Sequence, residues 1–367
     1  LNFLSLEDTV DSDSIISTDK DKIRVKDYSA ISVMSGLKSL YLNSDIIKDI
    51  GFIKGLPALE DLTLEDTAVI SLASLSEMPA LRSLTLLGNN KVQDFGPVGT
   101  APGLTSLSID KMTSQPDPDL SSLSSLEKLD IKGFMSISSV RGLSGLKELS
   151  IHNCNVDQAD ALSSLTGVER LTFYSVWNSQ GNLRSLDFLK GMTGLKYADF
   201  TGNLDGTGWS GYNYLVEVYG DVSSIFNHQG LEELYLDNGK FEINFDKIKE
   251  NPGLRVLSLR NMELHKNYYV ESYGGMTSVW YDDVKLGEHM DILSRFPNLE
   301  ELYLDSNELT DLNFAAGLKN LKRLGLKDNY ITDLSPLKQA EFLEYLDIRD
   351  NPVGEVGDVG NGVEILQ

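Results

Sequence analysis

Apolar residues recur along this chain in the spacing L-x-x-L-x-L. The pattern opens at Leu1, Leu37, Leu59, Leu81, Leu104, Leu126, Leu146, Val168, Leu195, Leu231, Leu254, Leu299, Leu321 and Leu343. Successive openings lie 36, 22, 22, 23, 22, 20, 22, 27, 36, 23, 45, 22 and 22 residues apart, so nine of thirteen steps fall within two residues of 22. A period held over the whole chain predicts stacked repeats, about fourteen of them, in one domain spanning 1–367. The first part of each unit alternates apolar and polar residues, which predicts a short strand with one buried face. Its fourth and sixth positions point inward, and the residues between them face solvent.

A clean unit reads Leu299, Leu302, Leu304, Asn307, Leu309, Leu312, Ala315 and Leu318 before Leu321 opens the next. The ninth position carries Asn89, Asn203, Asn307, Asn329 and Asn351. An inward amide there can bond backbone groups that would otherwise be buried unpaired as the chain leaves its strand. Cys154 holds the same position and reads as a small buried filler, not a reactive thiol. After the strand, apolar residues follow every three positions, as in Leu312, Ala315, Leu318 and Leu321. That spacing predicts 3₁₀ turns or an irregular return, not a full α-helix. Six or seven buried side chains per repeat contribute roughly 1.5–3 kcal/mol each. Ordering the residues of one repeat costs a comparable or larger sum, so a lone repeat should not fold and stacking is obligatory.

The phrases LEELYLDSNELTDLNFAAGL and LKRLGLKDNYITDLSPLK, at 299–318 and 321–338, resemble the leucine-rich repeats of bacterial internalin-type surface proteins. The resemblance covers nearly the whole chain. It implies an α/β solenoid, a right-handed superhelix with a concave parallel β-sheet and an irregular or 3₁₀ convex side. It further implies recognition of a protein or glycan at an extracellular or cell-surface location. Phosphatase-regulating intracellular proteins carry similar repeats, and they supply the alternative of an intracellular scaffold or enzyme regulator. Two departures stand out. No helical cap of the internalin kind precedes Leu1, and the chain after Asn351 is a Gly-rich, acidic tail.

Four units are longer than the period, and each expands after its strand, near 10–27, 177–183, 204–221 and 265–289. All four additions should therefore leave the same edge of the stack. Trp177, Trp209 and Trp280, the three tryptophans, lie in the last three, with Tyr212, Tyr214, Tyr219, Tyr268, Tyr269, Tyr273 and Tyr281. In NYYVESYGGMTSVWYDD, two β-prone runs flank Gly274 and Gly275, which predicts a hairpin. WSGYNYLVEVY, at 209–219, reads as a further strand.

The outward fifth position runs Ser5, Tyr41, Thr63, Thr85, Ser108, Asp130, Ser150, Thr172, Asp199, Tyr235, Ser258, Tyr303, Gly325 and Asp347. Its first half is mostly Ser and Thr. Tyr174, Tyr197, Asp237, Arg260, Glu301 and Asp305 join from neighbouring positions in the second half. Tyrosine and arginine over-supply binding hot spots. The candidate ligand-binding set is therefore Tyr174, Trp177, Tyr197, Trp209, Tyr235, Asp237, Arg260, Trp280, Tyr303 and Asp305. Two plainer readings stand beside it: tyrosine favours strands, and the aromatic insertions could pack on one another as a small core.

Composition narrows the partner. Hydrophobic residues make up 41% of the 367, enough for a folded core, and the net charge is −23. That field repels phosphate, which argues against nucleic acid and anionic membrane. No stretch approaches 18 apolar residues, so no membrane insertion is expected of this segment. A single cysteine excludes an intrachain disulfide. Catalytic chemistry finds no constellation. His152, His228, His265 and His289 lack ligand spacing, no phosphate loop follows a strand, and no Gly-x-Ser-x-Gly elbow occurs. Asp199 and Asp237, in neighbouring repeats, are a carboxylate pair that could serve a glycosidase-like site, although acids spaced along a solvated sheet are common. Asn203, Asp205, Thr207 and Gly208 resemble a calcium loop whose closing Glu is replaced by Tyr214, and Asp11, Asp13, Asp19 and Asp21 cluster without a placed glycine. The expectation is a monomeric binding protein without cofactor, metal or catalytic residues, and the alternative remains the intracellular regulator.

Overall fold

The computed structural model describes residues 2–7, 28–88, 91–92, 94–111, 117–174, 186–202, 221–273, 276–354, 356, 359 and 362–367; for 7, 240–241, 267–273 and 276–281 it describes the backbone alone. The chain forms two compact units, Leu1–Leu165 and Thr166–Gln367. In the first unit the repeat openings become parallel strands β1 (Phe3–Glu7), β2 (Ser39–Asn43), β3 (Asp61–Glu65), β4 (Ser83–Leu87), β5 (Ser106–Asp110), β6 (Lys128–Lys132) and β7 (Glu148–His152). Each pairs with the next in sequence order.

The second unit holds β8 (Arg170–Tyr174), β9 (Tyr197–Asp199), β10 (Glu233–Tyr235), β11 (Lys240–Glu242), β12 (Val256–Ser258), β13 (Glu263–Tyr273), β14 (Met276–Val284), β15 (Glu301–Tyr303), β16 (Arg323–Gly325), β17 (Tyr345–Asp347) and β18 (Glu364–Leu366). Its parallel order is β8-β9-β10-β12-β15-β16-β17-β18. β11, β13 and β14 form a separate three-stranded sheet.

The register follows the repeat. In the first unit Ser5, Tyr41, Thr63, Thr85, Ser108, Asp130 and Ser150 align across neighbours. In the second, Thr172, Asp199, Tyr235, Ser258, Tyr303, Gly325 and Asp347 do so. The leucines on either side of that row, such as Leu62 and Leu64 or Leu302 and Leu304, are fully buried. Return segments are 3₁₀ turns, including Gly51–Gly55, Ala73–Glu77, Asn313–Gly317 and Ser335–Gln339, as the three-residue spacing predicts. The amides opening successive strands also tie one repeat to the next: Glu300 O accepts from Lys322 N at 2.7 Å and from Arg323 N at 3.0 Å.

The ninth-position amides behave as an interior ladder. Asn329 Oδ1 accepts from Asn307 N at 3.0 Å and Leu309 N at 2.9 Å, while its Nδ2 donates to Leu304 O at 3.0 Å and Leu326 O at 2.9 Å. Asn307 and Asn351 bond in the same manner. Cys154 substitutes for the amide: Phe134 N donates to its Sγ at 3.3 Å, and the thiol lies 3.1 Å from His152 O. Burial pushes this thiol up to about 12, so it is buried filler with a bonding role added.

The eighth position carries a signal that the leucine pattern leaves unread. Asp66, Gly88, Gly133, Asn153, Gly202, Asn238, Asn261, Ser306, Asp328 and Asp350 all have positive φ. The chain turns there through the left-handed region, which favours Gly, Asn and Asp. At Gly133 a side chain is also barred by space, because a Cβ would lie 2.1 Å from Lys111 O.

The insertion after β12 does form the predicted hairpin. β13 and β14 run antiparallel, pairing Leu264 with Val284, Tyr269 with Trp280 and Tyr273 with Met276, with an irregularity between Lys266 and Tyr269. β11 adds in parallel at its base, opposite Glu263, Leu264 and His265. Trp177, Trp209, the strand read at 209–219, both calcium-like stretches and nearly all of the other three insertions lie outside the described residues. The common exit edge expected of the four insertions lies outside them as well. The Gly-rich tail adds an element the sequence reading lacked: β18 pairs in parallel with β17.

Candidate functional site

The second unit brings most of the described candidate residues onto one sheet face. Three outward rows cross it. The third-position row is Arg170, Tyr197, Glu233, Val256, Glu301, Arg323 and Tyr345, beside the fifth-position row given above. The seventh-position row contains Tyr174, Asp237, Arg260, Asp305, Lys327 and Arg349.

Aromatic and guanidinium groups interleave across these rows. The Arg170 guanidinium lies 3.7 Å from the Tyr197 ring centroid, Arg260 lies 4.2 Å from Tyr303, and Arg323 lies 4.2 Å from Tyr345. Tyr197 and Tyr235 meet at 5.4 Å with their planes tilted by 41°. Each of three hydroxyls donates to a carboxylate two residues away on its own strand: Tyr197 to Asp199 at 3.2 Å, Tyr235 to Glu233 at 3.2 Å and Tyr303 to Glu301 at 2.6 Å. Burial and the adjacent carboxylates push Tyr197 up to about 12 and also raise Tyr235 and Tyr303. The hydroxyls therefore stay protonated donors at neutral pH.

Arg260 is held on three sides. Its Nη1 meets Asp237 Oδ2 at 2.9 Å, its Nε meets Asp305 Oδ2 at 2.7 Å, and its plane covers Tyr303. Asp237 is only 6% exposed and also accepts from Ser258 Oγ at 2.5 Å and Arg260 N at 2.9 Å. Asp237 is thus a positioning group beneath Arg260, not an open contact. Ser258, outward by register, is fully buried in this cluster. Gly325 leaves room beside it, since a Cβ there would stand 2.9 Å from Tyr303 Cδ1 and 3.0 Å from Asp305 Oδ2.

Tyr174 is half-exposed at the far end of β8, and a Cβ on Gly202 would lie 2.8 Å from its ring. Trp280 belongs to the hairpin sheet, paired by backbone with Tyr269. Arg170, Glu233, Val256, Arg323 and Tyr345 complete the face and were not among the residues singled out by type. A signal for part of it does exist in the sequence: the heptapeptide LEELYLD occurs at 231–237 and again at 299–305, on the strands flanking β12.

The carboxylate pair considered for hydrolysis is already engaged. Asp237 is bound as above, and Asp199 accepts from Thr201 N at 2.9 Å and from the Tyr197 hydroxyl. Among the described residues no group of three or more His, Cys, Asp or Glu is placed to hold a metal ion, and no helix is long and apolar enough to cross a membrane. His152 bridges to Asp130 at 3.4 Å in the first unit, a polar surface contact as its register predicts.

A family model described as leucine-rich repeats (2 copies) matches residues 297–339. No curated protein matches the chain. Among solved structures, an internalin from Listeria monocytogenes is similar with a TM-score of 0.55 and 16% identity, covering 94% of this chain and 84% of that one. A leucine-rich-repeat protein from Leptospira interrogans gives 0.56 and 17%, covering 91% and 85%. The Toll–Spatzle complex of Drosophila gives 0.62 and 16%, covering 86% of this chain and 40% of that one. With repeat, register, 3₁₀ returns and these likenesses together, the chain has a leucine-rich-repeat fold similar to that of bacterial internalins.

Proposed function

We propose that this chain is a non-enzymatic recognition protein that holds a protein or glycan partner against the outward sheet face of its second unit, at a bacterial cell surface. Leucine-rich-repeat folds serve binding, and the Drosophila neighbour is a complex of Toll with Spatzle. One observation carries the reading. The aromatic and arginine side chains of this face are fixed before any partner arrives, because carboxylates of the same face hold their hydroxyls and guanidiniums. Preorganised side chains lose little entropy on binding, which is where much of the cost of association lies.

Within that reading Tyr174, Tyr197, Tyr235, Arg260 and Tyr303 present the contact surface, and Asp237 and Asp305 hold Arg260 in place. Trp177, Trp209 and Trp280, carried by the insertions, extend the surface at its rim. The test is capture of partners on the purified chain, by pull-down from host extracts and by glycan array, with Tyr235→Ala/Tyr303→Ala and Trp209→Ala/Trp280→Ala beside the wild type. Loss of capture by either pair at an unchanged melting temperature is the expected result. Retention of the partner by both pairs would remove the proposed surface. Labelling of the protein on intact cells checks the location.

A further inference from the structure

β12 sits between the two copies of LEELYLD, and the register sets Val256 directly between Glu233 and Glu301. Strands lie about 4.8 Å apart, so the two glutamates branch from points roughly 10 Å apart with the valine between them. All three residues are partly exposed. Val256 is the only aliphatic residue in its row, where the other positions hold Arg, Tyr or Glu.

Three nearby carboxylates are neutralised within the molecule. Glu300 meets Arg255 at 2.6 Å and Lys322 at 2.7 Å, while Asp237 and Asp305 share Arg260. Glu233 and Glu301 differ. Each accepts one tyrosine hydroxyl, and among the described residues neither has a lysine, arginine or histidine within ion-pair distance; Arg323, the cross-strand neighbour of Glu301, lies over Tyr345, donates to the Tyr303 hydroxyl at 3.4 Å and acts on Glu301 only from beyond that distance. A carboxylate that accepts one hydroxyl keeps further acceptor sites. Tyr303 is covered by Arg260, whereas no guanidinium or ammonium covers Tyr235 among the described residues.

We propose that this position seats a lysine or arginine side chain of a partner protein. The methylene stem would lie on Val256, as long cationic side chains lie along apolar surface. The charged head would reach Glu233 and Glu301 beside the Tyr235 ring, which also attracts cations. The net charge of −23 favours a basic partner and steers it toward the chain. A bare metal ion fits less well, because it needs several oxygens converging at about 2.3–2.6 Å, and the glutamates stand on either side of a valine.

The inference rests on the recognition reading above, and its test separates the two. A displayed library of short random peptides is selected on the full chain and on three variants. Glu233→Gln/Glu301→Gln removes both charges of the site. Glu250→Gln/Glu341→Gln removes two exposed charges elsewhere and so has the same net charge. Val256→Arg supplies the cation from within. The expected result is enrichment of peptides with a basic residue beside an apolar one. Affinity for them should fall about tenfold in the first pair, the order expected for losing a charge-assisted contact. It should be unchanged in the second pair and lost in Val256→Arg, with circular dichroism unchanged in all three.

Equal loss in both glutamine pairs would reduce the effect to general charge attraction and overturn the proposal. Selection of neutral or acidic peptides that depend on Tyr235 and Tyr303 would overturn it too, yet leave the recognition reading standing. Recovery of no peptide would overturn it. So would a glycan or a second copy of this chain occupying the face, seen on a glycan array or by concentration-dependent sedimentation and abolished by the first pair.

Discussion

At the scale of single residues, the repeat is held by side chains that stand in for missing backbone partners. Asn329 satisfies two amides and two carbonyls from its own and the preceding repeat while only 3% exposed. Replacing it with alanine strands those groups out of reach of water, so Asn329→Ala should lower unfolding free energy by about 2 kcal/mol or more, read from urea denaturation. Asn at this position was legible because the same residue type recurs at one place in the period. Cys154 was legible as buried, but its bonding role was not, since a thiol carries no such signature. With its thiol raised to about 12 by burial, Cys154 should not react with Ellman's reagent at pH 8 in the native state and should react fully in urea. Native-state labelling would contradict this placement. The eighth position was legible in principle, as a run of Gly, Asn, Asp and Ser, yet the leucine spacing says nothing of φ.

At the scale of elements, strands and 3₁₀ returns follow from local periodicity, and the hairpin follows from two β-prone runs around a glycine pair. Its anchoring does not. β11 and the buried Leu264 hold the base of the hairpin, whereas the distal arms pair only with each other among the described strands. Two substitutions should therefore behave differently. Deleting 268–280 and closing the arms with a short glycine linker should leave the melting temperature of the chain nearly unchanged. Leu264→Asp should destabilise by about 2–5 kcal/mol, because it places an unpaired charge in the core. Early melting of the deletion variant would show that the distal arms support the fold and do not merely project from it. The pairing of β18 with β17 was invisible to pattern reading because Gly-rich sequence carries no alternation strong enough to mark a strand.

At the scale of the whole molecule, charge is the dominant feature: 55 acidic against 32 basic residues. Many of those acids are tied to cations in the fold. Asp347 is held below the usual carboxylate range by its hydrogen bonds from Arg349, and Glu300 is held low by Lys322. A carboxyl lowered by folding contributes stability above its unfolded value of about 4 and loses it as pH falls through the lower folded value. Asp347→Asn should therefore melt below the wild type at pH 7, and the gap should close between about pH 4 and pH 2. A gap that stays constant down to pH 2 would show that the carboxylate charge contributes nothing.

The amino-acid sequence alone determined the repeat, the inward leucines, the asparagine ladder, the 3₁₀ returns and the register of the outward rows. All of these depend on neighbours within one repeat or on the period that relates one repeat to the next. The tertiary structure decided which outward residues meet. Arg260 lies against Asp237 and Asp305, 23 and 45 residues away, and Ser258, which register alone would leave exposed, is buried with its hydroxyl on Asp237. Glu233 and Glu301 share one local sequence, and the pairing of strands decides that Tyr197 and Val256 flank the first while Val256 and Arg323 flank the second. Lateral contacts across a parallel sheet join residues separated by whole repeats. The insertions change which residues those are, and the side-chain conformer then chooses among several charged partners within reach.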